Sequence, residues 1–277
     1  MPPRCFIIGH PVAHSRSPLI HRTWLAEHGL EGSYERVDVA PVDLPGFVER
    51  LRAGAFAGGN VTVPHKEAML PLLDEVSEAA QAVGAVNTIW REGNRIHGDN
   101  TDVSGFLAHL DASVSGWDKR VVTALVLGAG GAARGVAFAL KARGVGRILL
   151  VNRSRTRADD LAAALGRPVE AADWQERAGL VASADLIVNT TALGMHGQPP
   201  LDLDLAGLRP GTVVDDIVYV PLKTPLLLAA EARGGIAVDG LGMLLHQAVP
   251  GFARWFGVTP SVTPALRAKL EADILGD

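Results

Sequence analysis

Short apolar runs alternate with amphipathic stretches along the whole chain, and this spacing predicts alternating strands and helices. In the first hundred residues, positions 5–8, 33–39, 59–63, 86–90 and 95–97 read as strands. Helical patterns fall at 44–52 and 66–83, and a further helix is opened by Ser17 and Pro18, a capping-type residue followed by proline. Residues 101–110 read as a helix, and the polar stretch 111–120 reads as a boundary before the most apolar strand, 121–127. The order then repeats, with a helix at 132–142 and strands at 147–151, 186–189, 212–218 and 236–238. The final segment, 242–274, reads as two helices with a Pro/Thr-rich break at 259–264.

The expected fold is therefore a two-domain α/β protein. An N-terminal βαβ-type domain spans residues 1–110, with the helices of 241–277 packing back on it. A doubly wound Rossmann-type domain of parallel strands spans 111–240.

Composition narrows the partners. The 277 residues are 48% hydrophobic with 31 Gly and 17 Pro, enough to bury a sizeable core between many tight turns. The net charge of -4 is spread without blocks of one sign, which points away from nucleic acid and membrane surfaces and toward a small-molecule ligand. No apolar run approaches the roughly 20 residues of a membrane span, and the N-terminus lacks a signal-peptide pattern. The single cysteine, Cys5, excludes an internal disulfide and reads as a buried thiol on the first strand, so the expected setting is the reducing cytoplasm. The histidines, among them His97, His109 and His246, lack metal-site spacing, and no metal is expected.

The most specific signal follows the apolar strand at 121–127. It runs into Gly128, Ala129, Gly130, Gly131, Ala132 and Ala133 and then a helix, the strand-turn-helix context of a dinucleotide fingerprint. Gly128 permits the turn, Gly130 lets the backbone approach a pyrophosphate, and Ala133 stands where helix and strand pack closely. At the end of the second strand, NAD enzymes carry an acidic residue for the ribose 2′-hydroxyl. Here the chain reads Asn152, Arg153, Ser154, Arg155 and then Arg157, a cationic helix start matched to a 2′-phosphate. NADP is the cofactor expected from these residues.

In the first domain, Ser15 and Ser17 lie in a loop after the first strand, although Ser17 before Pro18 also suits a helix cap. Asn60-Val-Thr-Val-Pro-His-Lys66, Gly84-Ala-Val-Asn-Thr88 and Gly98-Asp-Asn-Thr-Asp102 follow. With the Gly-x-Gly-Gly-x-Ala turn, Asn152-Arg-Ser154 with Arg157, Asn189-Thr-Thr191, and Asp239-Gly-Leu-Gly-Met243 with Gln247, this ordered set resembles the shikimate dehydrogenases over nearly the whole chain.

The resemblance implies reversible reduction of 3-dehydroshikimate to shikimate by NADPH, on the route to chorismate and the aromatic amino acids. It implies that Ser15 and Ser17 bind the substrate carboxylate, that Thr62, Asn87, Asp102, Tyr219 and Gln247 contact ring hydroxyls, and that Lys66 and Asp102 form the catalytic pair. Thr190 and Ala192 would line the nicotinamide and ribose, with Ile217, Gly240 and Met243 completing the cofactor set.

Independently of the resemblance, hydride delivery to a carbonyl builds an alkoxide that needs a proton donor or cation, which Lys66 supplies and Asp102 can orient or share. His65, where an aromatic residue is common in the family, reads as an ordinary surface residue covering a helix start. A quinate- or aminoshikimate-type paralogue and a catalytically silent NADP-binding sensor are the competing readings. Arg153 and Arg157 weigh against the quinate type, and the presence of both Lys66 and Asp102 weighs against the sensor. Monomer and homodimer both remain open.

Overall fold

A computed structural model describes residues 1–276. In chain order its elements are β1 (Arg4–Gly9), α1 (Ser17–Glu27), β2 (Ser33–Asp38), α2 (Leu44–Arg52), β3 (Gly58–Val61), α3 (His65–Met69), β4 (Glu75–Val76), α4 (Glu78–Val83), β5 (Thr88–Glu92), β6 (Arg95–Asp99), α5 (Thr101–Ser113), β7 (Thr123–Leu127), α6 (Gly131–Ala142), β8 (Arg147–Asn152), α7 (Arg155–Leu165), β9 (Val169–Asp173), α8 (Arg177–Val181), β10 (Leu186–Asn189), β11 (Val213–Asp216), α9 (Pro225–Glu231), β12 (Ile236–Asp239), α10 (Gly240–His246), α11 (Ala248–Phe256) and α12 (Pro264–Gly276). The chain divides into two compact units, Met1–Gly105 with the segment from Leu245 onward, and Phe106–Leu244. The divisions fall inside α5 and α10, a few residues from the loops where sequence pattern put them, because one continuous helix supplies residues to each unit.

The first unit is built on a six-stranded sheet in the order β2-β1-β3-β5-β6-β4. β1 pairs parallel with β2 and β3, whereas β5 runs antiparallel to β3 and β6, so this sheet is mixed. The hairpin between β5 and β6 turns at Gly93, whose φ of 61° suits glycine. Alternation along β1 sends Phe6 and Ile8 to one core and Cys5 and Ile7 to the other. On the second face Trp255 of α11 packs against β3. A Cβ on Gly58 would sit 2.4 Å from both Ile89 O and Trp255 Nε1, so only glycine admits the ring there. The indole donates to Ile89 O at 3.0 Å.

The single helix expected over 66–83 does not form. Pro71 ends α3 after one turn, and the Asp74 carboxylate accepts from Ile96 N and from Arg52, which draws the chain into β4 beside β6 before α4 restarts at its Ser77 cap. The last segment likewise holds three helices where two were expected, with Gln247 as the N-cap residue between α10 and α11.

The second unit is a wholly parallel six-stranded sheet, ordered β12-β11-β10-β7-β8-β9. Its strand order reverses between β7 and β10, the switch point outside which open α/β sheets bind ligands. Buried Leu125, Leu127, Ile187 and Val214 fill one of its faces. α7, β9, α8 and α9 were not singled out by pattern. All but the five-residue β9 are helices of 11 residues or fewer, and α8 is only five residues long.

Candidate active site

In the first unit, residues from four separate elements converge at the carboxyl ends of β1, β3 and β6. Lys66, on the first turn of α3, donates to Asp102 Oδ2 at 2.7 Å, and their side chains keep 31% and 29% of their exposure, so the pair is reachable from solvent. Asp102 lies on the first turn of α5. Asn87 Nδ2 donates to Asp102 Oδ1 at 2.9 Å and reaches Gln247 Oε1 at 3.4 Å. Gln247 is brought to this cluster by close packing at Gly105, where a Cβ would sit 2.6 Å from Gln247 Cβ.

The loop carrying Ser15 and Ser17 is anchored from both sides. Arg36 on β2 donates twice to Ser15 O, at 2.6 and 3.0 Å, and Arg16 pairs with Asp273 of α12 at 2.9 Å. Ser17 is the first residue of α1 and is not its cap, since the N-cap position is Arg16 and carries no side-chain capping bond. The Ser17 side chain is buried instead, and Ser15 Oγ accepts from Ser17 N at 3.4 Å. Thr62 follows β3, tied by its amide to Ile8 O at 2.9 Å.

His65 corrects the expectation of a surface residue. It is 1% exposed, and its Nε2 lies 2.7 Å from Val39 O, so it pins the start of α3 to the strand-end loop after β2 and fixes where Lys66 begins.

The same region contains a set of polar residues whose role the sequence did not reveal. Tyr34 OH donates to Asn60 Oδ1, and Asn60 Nδ2 donates to Asn87 O at 3.1 Å and Thr88 Oγ1 at 3.0 Å. Burial pushes the Tyr34 phenol well above its usual range, so it stays a donor. His21, stacked on Tyr34 at 4.1 Å, is held down to about 3 by burial and remains neutral. Asn60, Thr88 and Thr101 all lie inside motifs that the sequence displays, but their partners lie up to 28 positions away.

In the second unit, Gly128 opens the turn after β7 with a φ of 118°, and a Cβ there would meet Thr190 Oγ1 at 2.5 Å. Around Gly130 and Gly131 an added Cβ would meet nothing within 4 Å, so the turn faces open space. α6 starts at Gly131 without a side-chain cap, which leaves its first amides available to an anion, while Ala133 is fully buried against the sheet. At the start of α7, Arg155 is occupied by Asp159 and Asp173, each at 2.9 Å. Arg153 and Arg157 are exposed and have no ion-pair partner among the described residues, and Asn152 Nδ2 donates to Ser154 O. Two unneutralised guanidiniums at a helix N-terminus fit a phosphate monoester.

The loops after β10 and β11 are held by one buried carboxylate. Asp216 accepts from Asn189 Nδ2 at 2.9 Å, Val218 N at 3.1 Å and Thr224 Oγ1 at 2.7 Å. Asn189 Oδ1 in turn accepts from Thr191 N and Thr191 Oγ1. Thr190, Ala192, Ile217 and Tyr219 are therefore carried on segments tied to Asp216. Gly240 packs on Ile217, where a Cβ would lie 2.1 Å from Ile217 O, and Met243 follows half-buried on α10. Tyr219 belongs to this unit, whereas the other residues expected to touch substrate belong to the first.

Residues 7–89 match the family described as shikimate dehydrogenase substrate binding domain, 112–195 match shikimate / quinate 5-dehydrogenase, and 240–268 match shikimate 5'-dehydrogenase C-terminal domain. The shikimate dehydrogenase (NADP(+)) of Azorhizobium caulinodans is 54% identical over 271 residues, covering 98% of this chain and 96% of that protein. Among solved structures, shikimate 5-dehydrogenase from Thermus thermophilus, in complex with NADP(H) and shikimate, superposes with a TM-score of 0.86 at 39% identity over 98% of this chain and 99% of that one. Quinate dehydrogenase from Corynebacterium glutamicum, in complex with NAD, gives 0.89 at 34% identity over the same shares. The glycine turn, the Lys66–Asp102 pair and these full-length likenesses agree, and the chain belongs to the shikimate dehydrogenase family.

Proposed function

We propose that this protein catalyses the reversible reduction of 3-dehydroshikimate to shikimate with NADPH. The observation that carries the reading is the Lys66–Asp102 pair at 2.7 Å, half-open to solvent and joined to Asn87 and Gln247. NADPH, when bound, supplies the hydride that turns the ring ketone into an alkoxide.

Lys66 Nζ stands as the proton donor to that oxygen, and its ammonium stabilises the negative charge as it develops. The Asp102 carboxylate holds Nζ in place and keeps lone pairs free for a ring hydroxyl. In the oxidative direction Lys66 takes the hydroxyl proton back. Asn87, Thr62 and Gln247 orient the remaining hydroxyls, the Ser15 and Ser17 loop receives the ring carboxylate, and Tyr219 closes the set. The turn from Gly128 to Ala133 holds the pyrophosphate, and Arg153 and Arg157, with Asn152 and Ser154, hold the 2′-phosphate. Thr190, Ala192, Ile217, Gly240 and Met243 flank the nicotinamide half.

An NAD-linked quinate reading is disfavoured by the same residues. No carboxylate ends β8, and two unpaired arginines would face a bare ribose. A silent sensor would have no use for an ammonium held 2.7 Å from a carboxylate. We also propose a cytoplasmic setting, in which the buried Cys5 thiol stays reduced. The test is purified protein with NADP and shikimate, followed by absorbance at the NADPH band. Steady growth supports the proposal, and no turnover overturns it.

A further inference from the structure

The Asn87 side chain is held by an unusually complete set of donors. Its Oδ1 accepts from Thr101 N at 2.8 Å, Thr101 Oγ1 at 3.1 Å and Thr88 Oγ1 at 3.0 Å. A backbone amide can only donate, so the atom facing Thr101 N must be the carbonyl oxygen and the NH2 group must face the other way. There it meets Asp102 Oδ1 and Gln247 Oε1. The direction of the bonds behind it is also fixed. Asn87 O can only accept, so Asn60 presents its NH2 to that carbonyl and to Thr88 Oγ1. With one lone pair taken by Asn60, the Thr88 proton is committed to Asn87 Oδ1 or to Thr101 Oγ1, 2.9 Å away. Asn60, Asn87, Thr88 and Thr101 are all at least 96% buried, so water does not substitute for these partners.

We propose that Thr88 and Thr101 are positioning residues for the catalytic pair. Their hydroxyls join Thr101 N in holding Asn87 Oδ1, which keeps the NH2 group in line with Asp102 Oδ1 and favours the carboxylate form that pairs with Lys66. The proposal rests on the functional reading above. Without the hydroxyls, Thr101 N is the one donor left on Asn87 Oδ1, and the amide can swing out of line with Asp102 Oδ1. Asp102 then loses a hydrogen bond to its charged form, which favours a proton on it, the state in which it no longer anchors Lys66.

The other titratable groups on the surrounding elements do not compete for this role. Lys66 from α3 is the ion-pair partner of Asp102, and Glu67 beside it is exposed. His65 faces Val39 O. Asp99, at the end of β6, is engaged by Ser77 Oγ and Asn100 N. Arg91, Glu92, Arg95 and His97 lie toward the far end of the β5–β6 hairpin, and His109 of α5 faces Asp239 O. His246 directly precedes Gln247, and Arg254 lies two turns along α11 from it.

The test is the near-isosteric pair T88V/T101V against T88S/T101S, each assayed for shikimate oxidation from about pH 5 to 9. Loss of a charge-assisted hydrogen bond corresponds to a shift of roughly one pH unit. The valine pair is expected to move the acid limb of kcat upward by about that amount, with KM for NADP unchanged, and the serine pair is expected to restore the wild-type limb. An unshifted limb in the folded valine pair, or a serine pair that behaves like valine, overturns the proposal. If the valine pair does not fold, a carbon-13 carboxyl titration of Asp102 in T101V, with no substrate present, decides the matter: an upward shift supports the lock and an unchanged titration overturns it. The same titration separates the two ideas, because wild-type protein that fails to oxidise shikimate overturns the functional proposal while leaving the carboxyl measurement intact.

Discussion

Replacing Asp215 by asparagine should change the stability of the protein by an amount that depends on pH. Asp215 sits on β11 between Val188 and Val238, is 2% exposed, and leaves Oδ2 without a hydrogen-bond partner among the described residues. Burial, and then the neighbouring charges of Asp216 and Asp239, push its carboxyl well above the ordinary 3.8. The folded protein therefore keeps a proton that the unfolded chain releases. Stability from this residue is complete below about pH 4 and is lost as pH rises through the window above 3.8, because folding must take the proton back. At pH 7 the ceiling on that cost is about 1.4 kcal/mol for each of roughly three pH units, on the order of 4 kcal/mol.

Asparagine needs no proton but buries an additional N–H, at about 1–3 kcal/mol independent of pH. D215N should thus gain stability relative to the unsubstituted protein as pH rises from 4 to 7.5. Urea denaturation between these limits, followed by fluorescence of Trp117 and Trp174 in the same unit, measures the difference. A difference that stays flat from pH 4 to 7.5 would show that Asp215 folds ionised and would refute the reasoning.

Two further substitutions test the site. Lys66→Ala should lower kcat by roughly 10² to 10⁴ with KM for shikimate nearly unchanged, as loss of a general acid does; near-normal turnover in steady-state assays removes Lys66 from that role. Arg153→Ala should raise KM for NADPH far more than KM for NADH, because only the former carries the 2′-phosphate, and equal effects on the two cofactors would cancel the assignment.

How much of this was legible in the chain depended on the range of the interaction involved. The strand at 123–127 and the turn after it were plain, because the apolar run, glycines and helix start are contiguous and each carries its own physical signal. The division of the terminal helices was not, since Gln247 gives no break as strong as proline. Pro71 was visible within 66–83. What converts the rest of that segment to β4 is the Asp74 carboxylate reaching Arg52 and Ile96 N, contacts that span 22 positions.

Of the site, Lys66, Asp102, Asn87 and Gln247 were expected and lie together in the first unit. The donors that orient Asn87 were hidden because Thr88 and Thr101 read as ordinary strand and helix-start residues. The role of Asp216 is hidden for a related reason, as its three donors come from Asn189, Val218 and Thr224, on both sides of it in the chain. Polarity alone suggests the surface for His65, whereas a carbonyl 2.7 Å away satisfies its ring in the interior.

The most direct measurement is kcat/KM for shikimate and for quinate, each with NADP and with NAD. Shikimate with NADP is expected to exceed the other three combinations by about tenfold or more, within the range that one altered ligand group supports. A preference for quinate with NAD, or equal values for all four, would contradict the account.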